Sequence, residues 1–282
     1  MRFGTVDGRF VLVEGDLPDG ARALDVATAS RGTLPSDTVA ALERWDDVVA
    51  WAATADWSAA SAVTPEQLGA PVPRPRQVFA IGLNYAPHAA EAGFTPPERP
   101  MVFTKFPSCI TGPVTTVELP EGNVDWEIEV VAVVGRGGSR IRREDAWASL
   151  AAITLGQDLS ERLLQLAPPS PQFSLGKSHP GFGPTGPVAV SLDQIGDPHA
   201  LAFDSRIGDE VLQQDTTASL IFGIDVLVEY LSAVVPLLPG DLIFTGTPGG
   251  VGNRRTPQRF LQPGETLVSR LEGVGELRQT FA

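Results

Sequence analysis

The stretch Asp125-Trp126-Glu127-Ile128-Glu129-Val130 places a carboxylate at every second position. On an extended chain alternate side chains share a face, so Asp125, Glu127 and Glu129 project together while Trp126, Ile128 and Val130 turn away. Carboxylates spaced about 7 Å apart along one face repel unless something neutralises them. Downstream, Val130-Val131-Ala132-Val133-Val134 is apolar on both faces and reads as a buried strand with Glu129 at its edge. This pattern alone serves two ends: an acidic, solvent-facing strand end, or an all-oxygen site for a hard cation such as Mg2+, Mn2+ or Ca2+. A cation site needs a further ligand. Asp158, at the end of the strand pattern Ala151–Gln157, is the best candidate. No His or Cys pair has the spacing of a zinc site.

Only three histidines occur: His88, His179 and His199. His88 follows an apolar strand pattern and opens a helical stretch, with Glu91 three residues on and on the same face. A carboxylate hydrogen-bonded to imidazole fixes its tautomer and raises its basicity, which suits a general base that deprotonates water. The same spacing also suits a pair that merely stabilises a helix start. His199 follows Asp197-Pro198 and reads as a solvated turn residue, while His179 lies two residues after Lys177. Arginines abound, but there are only two lysines, Lys105 and Lys177. Guanidinium and ammonium are not interchangeable where a compact charge or a tunable pKa is needed. Both lysines therefore become candidates for chemistry, with chance placement the alternative.

These groups need a scaffold, and 282 residues suffice for one large domain, or a large one with a small appendage. The hydrophobic fraction of 43% supports a sizeable core. A formal charge of −13 argues against binding to nucleic acid or an anionic membrane, which relies on basic residues near phosphates. It leaves room for a small anionic substrate, because one metal ion and a buried cation can dominate the field in a pocket. No apolar run approaches the roughly 20 residues of a membrane span, and the first residues lack a signal-peptide stretch. The single cysteine, Cys109, reads as a small buried hydrophobe and fits a reducing cytoplasm, the expected compartment.

The chain opens on a predicted hairpin, 2–6 and 9–13 about an Asp7-Gly8 turn. A helix is predicted from about Asp37 to Ala55 with Ser36 as N-cap, and a second short one after Thr64. Pro71-Val72-Pro73-Arg74-Pro75 reads as a connector, dividing a small N-terminal domain (1–70) from the main domain (71–282). Beyond it come strands at 78–83, 124–134 and 151–157, and an amphipathic helix ending near Val234. The turns Pro239-Gly240-Asp241 and Pro263-Gly264-Glu265 each open a further strand. The pattern predicts an α+β fold, with neither a Walker loop nor a GxGxxG loop.

In chain order these segments resemble the fumarylacetoacetate hydrolase family from about Val78 to the C-terminus. Gly82-Leu83-Asn84-Tyr85, His88 and Glu91 match its GLNYxxHxxE segment, and Phe103 to Ser108 its FxKxPS segment. Glu127-Ile128-Glu129 matches its ExE metal motif. Asp158-Leu159-Ser160-Glu161-Arg162 with Gln165 is similar to DVSxRxxQ, whose Asp is the third ligand. Gly176-Lys177-Ser178 with Gly186-Pro187 resembles GKS…GP, and Thr245 to Gly252 matches TGTPxGVG. Each segment alone is weakly specific; six in the right order are specific.

The resemblance implies a β-rich mixed-sheet roll of the α+β class with a small N-terminal α+β domain, assembled as a homodimer. It implies Mg2+, or Mn2+ or Ca2+, held by Glu127, Glu129 and Asp158, and a small 2-oxo acid as substrate. His88 and Glu91 would activate water, and Lys177 would donate a proton as an enolate collapses. Tyr85, Arg162, Gln165, Gly246 and Thr247 would contact substrate, with the Gly246-Thr247 amides and the Thr247 hydroxyl holding a carboxylate. Hydrolysis of a C–C bond in an acylpyruvate or fumarylpyruvate-like acid is the expected reaction. Decarboxylation of an oxaloacetate-like acid, isomerisation of a hydroxymuconate-type dienoate, and a non-catalytic metal-binding role are the alternatives. Pro180, Leu163 and Gln157 stand where many members carry Asp, Asp and Asn, which bears on substrate choice more than on the metal.

Overall fold

The computed structural model describes residues 1–86 and 97–282. Its core is a twelve-stranded mixed sheet whose centre is built from Gly183–Ser191, Leu150–Gln157, Ile128–Val134 and Leu242–Phe244, in that order. Val78–Gly82 adds in parallel to Leu242–Phe244, and Met101–Thr104 adds antiparallel beyond it. The predicted hairpin forms from Arg2–Val6 and Arg9–Glu14, and Arg2–Val6 pairs with Gly183–Ser191, so the N-terminal strands extend the main sheet. The turn takes Asp7 and Gly8 to φ of 50° and 72°, the left-handed pair that a two-residue hairpin loop demands. A second, five-stranded sheet runs from Glu210–Thr216 through Ala202–Ile207, Thr266–Leu271 and Gly275–Phe281 to Val114–Val117. The architecture is α+β, as the sequence predicts.

The strand Ile128–Val134 shows how pattern becomes position. Every residue is buried, and alternate side chains feed two different cores. Ile128, Val130, Ala132 and Val134 face the second sheet with Phe203, Leu271 and Leu277. Val131 and Val133 face the N-terminal region, packing with Phe3, Phe10, Trp45 and Val48. Glu129 has the parity of Val131, so it emerges on this second face at the strand's open end.

Three local expectations change in the structure. The single helix of 37–55 is two, Thr38–Leu42 and Trp45–Ala52, because Arg44 leaves helical geometry (φ −117°, ψ 35°). The break lets Trp45 meet the Phe3 ring edge-on at 5.4 Å. The N-cap is Asp37 rather than Ser36, its carboxylate accepting from Ala40 N at 3.0 Å. The strand 124–134 is interrupted after Asp125: Val124–Asp125 pairs with Ser160–Glu161 in a ladder of its own. Trp126 enters a third apolar cluster with Leu159, Phe182 and Leu261, and its indole N–H donates to Gly250 O at 3.2 Å. The late helix is Ile224–Ser232. Among the described residues no helix is long and apolar enough to cross a membrane.

Candidate active site

Two neighbouring strands supply the carboxylates. Ile128 lies opposite Gln157 and Glu129 opposite Gly156 in the antiparallel ladder. One step beyond, Asp158 N donates to the Glu127 carbonyl at 2.8 Å, which sets Asp158 across from Glu127. Glu127, Glu129 and Asp158 thus share one face, each offering an oxygen within 4.8 Å of the others, and all three are buried. Asp125 stands apart from this trio. It accepts from Arg162 Nε at 2.6 Å and from Asn253 N at 2.7 Å.

Three buried cations press on the cluster. Lys177 Nζ donates to Asp158 Oδ2 at 2.7 Å, Glu127 Oε2 at 2.9 Å and Ser160 Oγ at 2.8 Å. Lys105 Nζ donates to Asp158 Oδ1 at 2.6 Å and to the Lys177 carbonyl. Arg162 reaches Glu127 Oε1 at 2.7 Å and passes a hydrogen bond from NH1 to Gln165 Oε1 at 2.8 Å. Among the described residues, Asp125, Glu127, Glu129 and Asp158 therefore face Arg162, Lys105 and Lys177, four carboxylates against three cations. Among those residues the Glu129 carboxylate takes only the Gly246 N–H, at 2.7 Å.

The titration behaviour follows. Burial, then repulsion from Asp158 and Glu127, pushes the Glu129 carboxyl well above its ordinary range. Burial raises Asp125 to about 6 against the pull of Arg162. Burial alone would lower Lys177, but Asp158 and Glu127 outweigh it and hold the ammonium above its usual value. Such a pocket is short of positive charge at an all-oxygen donor set, which fits a hard divalent cation and not a soft one.

The other expected residues are distributed unevenly. Lys177 and Arg162 converge on the cluster, and Gln165 reaches it only through Arg162, whose guanidinium is already engaged by Asp125, Glu127 and Gln165. Tyr85 is fully buried with its ring edge-on to Phe203 at 6.0 Å, and its hydroxyl has no partner among the described residues. Burial, with Glu129 and Asp215 nearby, pushes the phenol well above its normal pKa, so it stays neutral. The Gly246 N–H faces Glu129, and the Thr247 hydroxyl donates to Ile128 O at 2.9 Å, so both loop groups are engaged within the protein. His88 and Glu91 lie outside the described residues. The His179 ring lies tilted against Phe182 at 4.9 Å, and His199 meets Trp147 edge-on at 5.3 Å; Cys109 is buried.

Two groups of contacts were not assigned from sequence. Lys105 stood out only as a rare lysine; its grip on Asp158 needed the fold. Gln157 stood out only as a departure from the family's Asn, and Gln213 carried no signal, since their amides act across sheets. A cavity of about 970 Å³ opens beside Phe203, Asp215, Arg270 and Arg278, but no member of the carboxylate cluster lines it. The chemistry is marked by the cluster and not by that opening.

The family model for the fumarylacetoacetate (FAA) hydrolase C-terminal region matches residues 77–282. A mitochondrial oxaloacetate tautomerase of Bos taurus is 40% identical over 208 residues, 73% of this chain and 66% of the relative. The chain thus spans about two thirds of the length of that relative. A crystal structure from Mycobacterium smegmatis described by the name HpcE is 51% identical, with a TM-score of 0.94 over 100% of this chain and 99% of that one. A 5-carboxymethyl-2-hydroxymuconate delta-isomerase from Mycobacterium smegmatis is 30% identical, with a TM-score of 0.78 over 100% and 98% of the two chains. With the family model matched across most of its length, this chain belongs to the fumarylacetoacetate hydrolase family.

Proposed function

We propose that this chain is a divalent-cation-dependent enzyme that moves a proton at the carbon beside the carbonyl of a small 2-oxo acid, interconverting the keto and enol forms of an oxaloacetate-like dicarboxylate. One observation carries this reading: a buried ammonium, Lys177, is hydrogen-bonded to two of the three carboxylates proposed as ligands. The tautomerase relative supports the choice of substrate class. Mg2+ or Mn2+ held by Glu127, Glu129 and Asp158 would draw electron density from the 2-oxo group and stabilise the enolate.

The protein's own groups supply the rest. Lys177, kept protonated by Asp158 and Glu127, would give up one of its three hydrogen bonds to pass a proton to the enol carbon during ketonisation, and the enol O–H proton, relayed through solvent, would restore the ammonium. Arg162 holds Glu127 and Asp125 in place from the buried side. Tyr85, neutral and without a partner among the described residues, offers a hydroxyl donor near Glu129. Gln165 accepts from Arg162 and so sits beside the guanidinium that reaches Glu127. A homodimer is the proposed assembly. Its support is an apolar shelf in which Phe106, Leu163, Leu164, Leu166 and Leu175 are exposed. Residues 163–176 carry no ionisable group in a chain of net charge −13, so two copies meet there without like-charge repulsion.

The second reading is C–C hydrolysis of an acylpyruvate, favoured by the His88 and Glu91 pair in the sequence. Following enol absorbance separates the two. Enol-oxaloacetate and an acylpyruvate are each offered with Mg2+ and again with excess EDTA. EDTA-sensitive ketonisation of oxaloacetate above the buffer rate is expected. Turnover of the acylpyruvate alone, yielding pyruvate and a free acid, would replace the tautomerase reading by the hydrolase one.

A further inference from the structure

We propose that Gln157 and Gln213 are positioning residues: their carboxamides stand in for missing strand partners on the two edges of the Glu127–Glu129 segment and so aim its carboxylates. The inference rests on the reading of Glu127, Glu129 and Asp158 as cation ligands.

The strand Leu242–Phe244 pairs with Ile128–Val134 only over Val131, Ala132 and Val133. Thr245 extends that edge by one step, its N–H and hydroxyl both reaching Val130 O. The chain then turns away at Gly246 (φ 101°), so Ile128 has no strand opposite it on that side. Its N–H donates instead to Gln213 Oε1 at 3.0 Å, and its carbonyl accepts from the Thr247 hydroxyl at 2.9 Å. Gln213 Nε2 closes the loop by donating to Thr247 Oγ1 at 2.8 Å and to Pro248 O at 3.0 Å. A side chain from the second sheet therefore completes the edge of the first.

The opposite edge has the same device. The Glu127 carbonyl takes a normal ladder bond from Asp158 N, but the Glu127 N–H donates to Gln157 Oε1 at 3.0 Å. Gln157 Nε2 is anchored in turn on Ser269 Oγ, in the second sheet, at 2.8 Å. Both glutamines and Ser269 are buried at 1% exposure or less. A buried N–H without an acceptor is costly, so loss of either amide makes the Glu127-Ile128 peptides seek other partners. The backbone that carries two of the three carboxylates would then rotate. The residues before and after this break differ accordingly: from Val131 to Val133 backbone ladders fix the strand on both sides, and at Glu127 and Ile128 amide side chains do.

Mn2+ titration calorimetry and the electron paramagnetic resonance spectrum of bound Mn2+ test this on the full chain. Gln213→Met and Gln157→Met keep side-chain length without the amide, and each is expected to weaken Mn2+ binding at least tenfold and to broaden the spectrum. Ser269→Ala removes only the far anchor of Gln157, so it remains informative if the methionine variants do not fold; at least a threefold loss is expected. Thr154→Val is the control. It breaks a buried hydrogen bond to Val188 O on the neighbouring strand and should lower Tm while leaving Mn2+ affinity within twofold. If wild type binds Mn2+, Glu129→Gln does not, and the three variants bind within twofold of wild type or no worse than Thr154→Val, the positioning role is overturned and the cation site stands. If wild type fails to bind, or Glu129→Gln binds as well as wild type, the cation site falls and this role with it.

Discussion

Replacing Lys177 by methionine should pull stability and metal binding in opposite directions. In the wild type the ammonium makes three hydrogen bonds, to Asp158, Glu127 and Ser160, and is itself 1% exposed. Methionine fills similar volume but, among the described residues, leaves four buried carboxylates facing Arg162 and Lys105. Removing one partner of a buried ion pair costs about 3–5 kcal/mol. At about 2–4 °C per kcal/mol for a domain somewhat smaller than this one, the metal-free variant should melt roughly 6–20 °C below wild type. The same substitution frees Asp158 Oδ2 and Glu127 Oε2, which a cation would otherwise share with the ammonium. Saturating Mn2+ should therefore raise the Tm of the variant by more than it raises that of wild type. Turnover should still fall by about 100- to 10,000-fold, because the proton donor is gone. Thermal melts of both proteins in EDTA and in Mn2+, at one pH, give the result. A metal-free Tm within about 2 °C of wild type, or a Mn2+ shift no larger than wild type's, would refute the charge balance drawn for this pocket.

Other consequences are separable. Glu129→Gln removes one of the cluster's carboxylate charges, so in EDTA it should melt above wild type while losing cation affinity; a lower metal-free Tm contradicts the balance. Gly246→Ala adds a Cβ that would sit 2.7 Å from Asn84 Cβ at a φ of 101°, and should cost about 1–3 kcal/mol in denaturant melts and weaken cation binding through Glu129; wild-type stability would rule out the strain. Asp241 is raised to about 6 by burial, so the folded state holds a proton there that the unfolded chain has lost. Its contribution falls as pH rises from about 4 to about 6, by on the order of 1–3 kcal/mol. Asp241→Asn should flatten that part of the Tm–pH curve, and an unchanged slope would exclude the residue as a source.

The site was legible because its signals are local. Carboxylates at alternate positions on a strand share a face whatever the remaining fold does, and Glu127 and Glu129 do so even though the ladder breaks at Trp126. The break itself was not legible: it depends on Trp126 finding a pocket among Leu159, Phe182 and Leu261, far apart in sequence. The hairpin at Asp7-Gly8 and the turn at Gly240 were read correctly because backbone geometry there is set by residue type. The helix of 37–55 was read too long because hydrophobic period continues across Arg44 while the packing of Trp45 does not. Gln213 and Ser269 gave no sign, since a neutral amide or hydroxyl is informative only once its partner is known. The two lysines stood out by rarity, and the fold places both on Asp158.

The central claim is that Glu127, Glu129 and Asp158 together hold one divalent cation, and calorimetric titration of metal-free protein with Mn2+, wild type beside Glu129→Gln, tests it most directly. One site per chain in wild type, weakened at least tenfold in the variant, is the result this account predicts. Equal affinity in the two proteins, or no binding in wild type, would contradict it.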